Sequence, residues 1–128
     1  MQENYLFEYA VIRIVPRVER EEFINVGVVL YCKKPPFLEM LFSVQSGRLL
    51  SLYPQLDTDD VHAHLSAFKD ICEGKAIAGP ISALDTASRF RWLTAKRSTI
   101  VQSSPVHPGF CKDPLTTLQR LFNQLVSG

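Results

Sequence analysis

The chain has 128 residues, 46% of them hydrophobic and 21% charged, which is one domain's worth of sequence and enough to bury a core without disulfides or metal. Such a composition excludes a disordered chain, a collagen-like repeat and a disulfide scaffold. Fourteen Lys and Arg oppose 13 Asp and Glu for a formal charge of +1, so no general attraction to DNA, RNA or anionic lipid follows, and any such binding needs a local patch.

Met1-Gln2-Glu3-Asn4 carries no basic run and the residues after it alternate, so no secretory signal is read there. No apolar stretch approaches the ~20 residues that span a bilayer, and no membrane association is expected. Residues 5–15 are dense in β-branched and aromatic types and predict a long strand ended by Pro16. One face carries Tyr5, Phe7, Tyr9, Val11 and Val15, broken by Arg13. The other carries Leu6, Ala10, Ile12 and Ile14, broken by Glu8. Two largely apolar faces predict a central strand.

A charged connection over residues 16–24 leads to a second strand, Asn25 to Cys32, with Gly27 inside it. Lys33-Lys-Pro-Pro36 is a turn, because proline cannot continue a ladder, and Phe37 to Val44 is a third strand. The short connection predicts an antiparallel hairpin, broken at Ser46-Gly47. From Asp57, a capping residue, Val61, Leu65, Phe68 and Cys72 recur at helical spacing until Gly74. A shorter helix is expected across 81–93, a fourth strand over Thr99–Ser103, and a loop from Ser104 to Gly109. Asp113-Pro114 then caps a last helix with the apolar stripe Leu115, Leu118, Leu121, Phe122 and Leu125. The order β-β-β-α-α-β-α predicts a single α+β domain over residues 1–128: an antiparallel sheet of about four strands with helices on one face.

Phosphate-cradling loops, zinc-hydrolase helices and the nucleophile elbow of α/β hydrolases have no counterpart here. Cys32, Cys72 and Cys111 are far apart, without a CxxC pair. An odd count with no framework fits a reducing compartment, and the cytoplasm is the expected location. Cys32 and Cys72 read as core residues; Cys111, after a Pro-Gly loop, is the one expected to be exposed. His62 and His64, two apart on a helix, face apart and share no metal, and His107 between prolines is a loop residue. Neither a cofactor nor a metal is expected.

Three features remain. Arg17, Glu19, Arg20, Glu21, Glu22 and Asn25 crowd the first strand connection, beside Gly27, whose place in an apolar strand points to a bulge or close backbone approach. This is either a solvated loop with local ion pairs or a polar site at the sheet edge. Ser88-Arg-Phe-Arg-Trp-Leu-Thr-Ala-Lys-Arg97 interleaves cations with Phe90 and Trp92, a composition that suits a core anchor with snorkelling cations, a protein interface, or base stacking. Arg89, Arg91 and Trp92 are the candidate interface. Arg13, a guanidinium in an apolar strand, needs a partner if buried: a carboxylate from the 19–22 segment is the expected one, and an anion or substrate site is the alternative. Arg13, Arg17, Glu19, Glu22, Asn25 and Gly27 form the candidate polar site.

The run from Tyr9-Ala-Val-Ile-Arg through Glu-Arg-Glu-Glu-Phe-Ile-Asn-Val-Gly to Cys32 resembles the N-terminal signature of a small bacterial family known only as a domain of unknown function. Ser88-Arg-Phe-Arg-Trp-Leu and the short strand ending at Ser103-Ser104 resemble it as well. Genes of that family often lie beside genes for toxin-type serine/threonine kinase-like proteins. The resemblance therefore implies a toxin–antitoxin-like, partner-binding or regulatory role rather than a free-standing enzyme, and it assigns no catalytic residue. The expected function is a non-catalytic domain that binds a protein partner, a kinase-like one foremost. The alternatives are an enzyme acting on a phosphorylated or nucleic-acid substrate through Arg and Glu, and a nucleic-acid binder.

Overall fold

Strand β1 (Tyr5–Ile14) is the spine of a five-stranded sheet in the order β3-β2-β1-β4, with β5 also pairing β1. The computed structural model describes residues 4–17 and 22–127. β2 (Ile24–Cys32) pairs antiparallel with β1, and β3 (Phe37–Phe42) pairs antiparallel with β2 across the Lys-Lys-Pro-Pro turn. Helices α1 (Ser46–Leu52), α2 (Thr58–Glu73) and α3 (Thr86–Leu93) follow, with 3₁₀ turns at Ala76–Ala78 and Pro80–Ala83. β4 (Val101–Ser103), β5 (His107–Cys111) and α4 (Pro114–Phe122), which runs into a π turn at Asn123–Ser127, complete the chain. The fold is α+β with an antiparallel sheet.

β4 and β5 are two pieces of one edge. Val101–Ser103 lies opposite Ile14–Ile12, and His107–Cys111 opposite Tyr9–Tyr5. At the join, Ser104 holds the ladder together. Its N–H donates to Val11 O at 2.8 Å, and its hydroxyl accepts from Val11 N at 2.8 Å. The side chain thus stands in for a backbone acceptor where Pro105 follows.

Both faces of β1 and β2 are apolar, so both must be covered. Ala10, Ile12, Ile14, Val29 and Met40 pack with Leu49 of α1, Val61, Leu65 and Phe68 of α2, and Phe90 and Leu93 of α3. Phe7, Val28, Leu30, Cys32 and Cys111 pack with Leu118 and Leu121 of α4 and with Val126. The element order predicts helices on a single face; α4 instead covers the second face.

The other differences also trace to tertiary contact. Ser46-Gly47 begins α1 rather than a break, and the buried Leu49 pins that helix to the core. Residues 107–109, expected in a loop, pair with β1 as part of β5. Cys111, expected to be exposed, is buried because it lies opposite Tyr5 under the α4 layer.

Capping follows the sequence signals. The Asp57, Asp85 and Asp113 carboxylates accept from the N–H groups of Asp60, Ser88 and Thr116. Gly74 ends α2 at φ 72, a left-handed conformation that favours glycine. Gly27 sits beside a bulge where the pairing register shifts between Ile12 and Arg13. A Cβ there would stand 2.8 Å from Leu41 O, so the close approach of β3 requires glycine.

Candidate functional site: a basic cleft beside β4

Arg13 lies opposite Asn25 on β2 and Gln102 on β4. Its guanidinium carbon is 4.1 Å from the centroid of the Phe23 ring, a cation–π distance. Its Nε is buried without a hydrogen-bond partner among the described residues. Among those residues no carboxylate pairs with it, and the ring of Phe23 lies against its guanidinium. Glu19 and Glu21 fall outside the described residues. Phe23 itself is 47% exposed.

Arg13 and Phe23 line an open cleft of about 470 Å³ with Lys96, Arg97, Ser98 and Gln102. An adjoining cleft of about 320 Å³ shares Lys96, Arg97 and Gln102 and extends along Ser103 to Pro105. Among the described residues neither is lined by an Asp or Glu. The geometry therefore gathers three cations with no opposing charge in the described walls, an arrangement that attracts carboxylates or phosphates.

The cations differ in freedom. Arg97 donates to Leu93 O at 3.1 Å and Ala95 O at 3.2 Å, and also to Trp92 O. It stacks 4.4 Å from the Trp92 centroid and 5.1 Å from that of Phe68. It caps the free carbonyls at the end of α3, where a positive charge also meets the negative end of the helix dipole. Burial lowers its pKa, but a guanidinium stays charged at any physiological pH. Lys96 is exposed and carries no such duties in the fold.

The described members of the candidate polar site do not line one cleft. Arg17 lies over the Tyr53 ring at 5.1 Å and shares a small recess with Glu22, away from the Arg13 cleft. Asn25 donates from Nδ2 to Leu125 O at 3.1 Å and ties β2 to the C-terminal turn; its Oδ1 is buried without a partner among the described residues. Gly27 is explained by the packing of β3. Glu19 falls outside the described residues.

The candidate interface also divides. Arg89 turns inward and donates to Ser82 O at 3.3 Å and Leu84 O at 3.0 Å, strapping α3 to the preceding turn. Trp92 is half-buried, edge-on to Phe68 at 5.7 Å and beneath Arg97. Arg91 is exposed and lines a separate cleft of about 470 Å³ with Tyr31, Lys33, Lys34 and Glu8. Sequence reasoning alone does not assemble Phe23, Lys96, Arg97 and Gln102 into a site. The available signal is the Lys96-Arg97 pair at the end of the Arg–aromatic segment, but only the pairing of β4 with β1 brings it to Arg13.

Neither the histidines nor the cysteines assemble a further centre. His62 packs edge-on against Phe42 at 5.6 Å, and His107 lies 5.4 Å from the Tyr9 ring. Among the described residues no three His, Cys, Asp or Glu side chains gather as a metal-ligand set. Burial raises the Cys72 thiol to about 12, and raises Cys32 and Cys111 as well. No described helix is long and apolar enough to cross a membrane.

Residues 9–126 match the model of a family described as a protein of unknown function, DUF3037, and the chain belongs to that family. No curated protein and no solved structure matches it.

Proposed function

We propose that this member of the family is a non-catalytic binding domain that receives an acidic region of a protein partner in the cleft of Arg13, Lys96 and Arg97. The observation that carries this reading is the convergence of those cations around Arg13, whose Nε has no partner among the described residues, in described walls that contain no carboxylate. The exposed Phe23 ring beside them offers apolar area of the kind found at interface anchors. The enzyme alternative calls for Arg13, a carboxylate of the 19–22 turn and Arg89 in one cleft. Arg13 and the described Glu22 line different clefts, and Arg89 is committed to backbone carbonyls.

The neighbourhood implied by the resemblance makes a kinase-like protein in the cytoplasm of a bacterium the first partner to examine. The test is calorimetric titration of that protein with the purified chain and with Lys96→Glu. Binding that falls at least about tenfold with the charge reversal is expected, since like charge at a docking site is strongly unfavourable. Equal binding of both forms contradicts the reading. Retention on mixed-sequence DNA at low salt, lost in Lys96→Glu, would favour the nucleic-acid alternative instead.

A further inference from the structure

The α1–α3 layer stops short of one end of the sheet. Ala10, Ile12 and Ile14 of β1 are buried under it, but Leu6, earlier on the same face, is 55% exposed. Phe110 on β5 is 72% exposed and lies directly opposite Leu6, and opposite residues project side by side from one face. Neither belongs to either core. Leu6 also lines the second cleft of about 470 Å³, together with Glu8, Tyr31, Lys33, Lys34 and the α3 residues Ala87 and Arg91. Tyr31 is backed by the core, its ring stacked on Phe90 at 5.4 Å. The Cys32 thiol lies 3.2 Å from both Leu6 O and Lys34 O and ties the lysine turn to β1. Ala87 and Arg91, one helical turn apart, stand on one side of α3. Three cations against the single carboxylate of Glu8 leave this lining with a surplus of two positive charges.

We propose that this groove receives an amphipathic helix of a protein partner, with its apolar face on Leu6 and Phe110 and its flanking carboxylates toward Lys33, Lys34 and Arg91. It is a contact surface separate from the Arg13 cleft and independent of it. A helix set beside α3 continues the existing helix layer over the bare end of the sheet, and a helix in an apolar groove is a common mode of recognition. Charge complementarity requires that helix to be acidic. A second copy of this chain is the poorer occupant, because it would set these cations against their own kind. A flat lipid surface meets Phe110 but does not fill a cleft walled by α3.

The test uses the full chain and a labelled, hydrocarbon-stapled helical peptide with Leu at i, i+3, i+4 and i+7 and Glu and Ala elsewhere. Matched controls replace every Leu by Ser, or every Glu by Lys. Fluorescence anisotropy reads affinity, and NMR amide shifts read the site. The Leu–Glu peptide is expected to bind, to shift Leu6, Ala87 and Phe110, and to weaken by about tenfold or more in Phe110→Ser and about fivefold or more in Lys33→Glu. Lys96→Glu, in the other cleft, is expected to alter affinity by less than about twofold. Shifts confined to Phe23, Lys96 and Gln102 overturn the groove while leaving the Arg13 cleft standing. Failure to bind, or equal binding of either control peptide, also overturns it. So does Phe110-dependent binding to phosphatidylglycerol vesicles without peptide binding, or Phe110-dependent dimerisation of the chain. Phe110 and Lys33 are exposed, and unchanged thermal unfolding of both variants excludes loss of structure as the cause.

Discussion

Arg13, Arg89 and Arg97 are chemically identical side chains with three different roles, and only their neighbours tell them apart. The sequence marks Arg13 as unusual because it interrupts an apolar strand, and that mark is sound: its Nε is buried and unpartnered among the described residues. What sequence spacing cannot say is which side chain comes to meet it, since Phe23 and the acidic residues lie in the same connection. Arg89 and Arg97 sit in one basic-aromatic run, yet both spend their hydrogen bonds on backbone carbonyls. Arg97→Ala is expected to destabilise the fold by about 2–3 kcal/mol, because it removes charged hydrogen bonds and the stacking on Trp92 in one step. Arg13→Gln, half-buried and without an ion pair among the described residues, is expected to cost less than about 1 kcal/mol in urea unfolding.

Cys72 gives a prediction with a definite sign. Burial holds its folded pKa at about 12 against an ordinary value of 9.0. Above pH 9 the unfolded chain releases this proton while the folded chain keeps it. The stability associated with the protonated thiol is therefore complete below that value and declines as pH rises toward 12. The slope from this one group is at most about 1.4 kcal/mol per pH unit. Urea titrations of the native chain and Cys72→Ser over that range should differ in slope. Identical slopes would place the thiol in contact with water.

Helix ends and strand pairings are unequally legible in the sequence. Asp57, Gly74 and Asp113-Pro114 announce their caps because capping chemistry is local, and each performs as its residue type dictates. α1 and β5 are not local in this sense. α1 is held by one buried leucine against a distant sheet, and β5 exists only because β1 offers a free edge. Asp85 and Asp113 accept hydrogen bonds from Ser88 and Thr116, which lowers their pKa values below 3.8. A depressed carboxylate stabilises above its unfolded pKa and loses that contribution as pH falls through the folded one. Asp113→Ala should lower the melting temperature at neutral pH, whereas Asp113→Asn, which retains a capping oxygen, should lower it less. Thermal scans of the two variants at neutral pH and below the carboxylate range check this. Gly27→Ala sets a methyl against the backbone of β3 and is expected to cost about 1–3 kcal/mol.

The whole molecule is a sheet covered on both sides. The apolar character of both faces of the first strand makes its central position readable, and the same observation implies a second layer that element order alone does not supply. If α4 is that layer, Leu118→Ala should destabilise about as much as Leu65→Ala on the opposite face, each by about 3 kcal/mol, because both leucines are fully buried. A much smaller loss for Leu118→Ala in chemical denaturation would indicate that α4 is loosely held. The layering also sets where function can lie. With α1 to α3 on one face and α4 on the other, Arg13, Lys96 and Arg97 gather in the clefts beside β4.

The most direct test is an NMR titration of the isotopically labelled chain with citrate, a small polycarboxylate that carries no sequence information. The Arg13 Nε–H resonance, together with those of Phe23, Lys96 and Gln102, is predicted to shift with a common saturation curve and to return as salt is added. Shifts confined to Lys33, Lys34 and Arg91, or no shift at Arg13, would contradict the assignment of this cleft as the binding site.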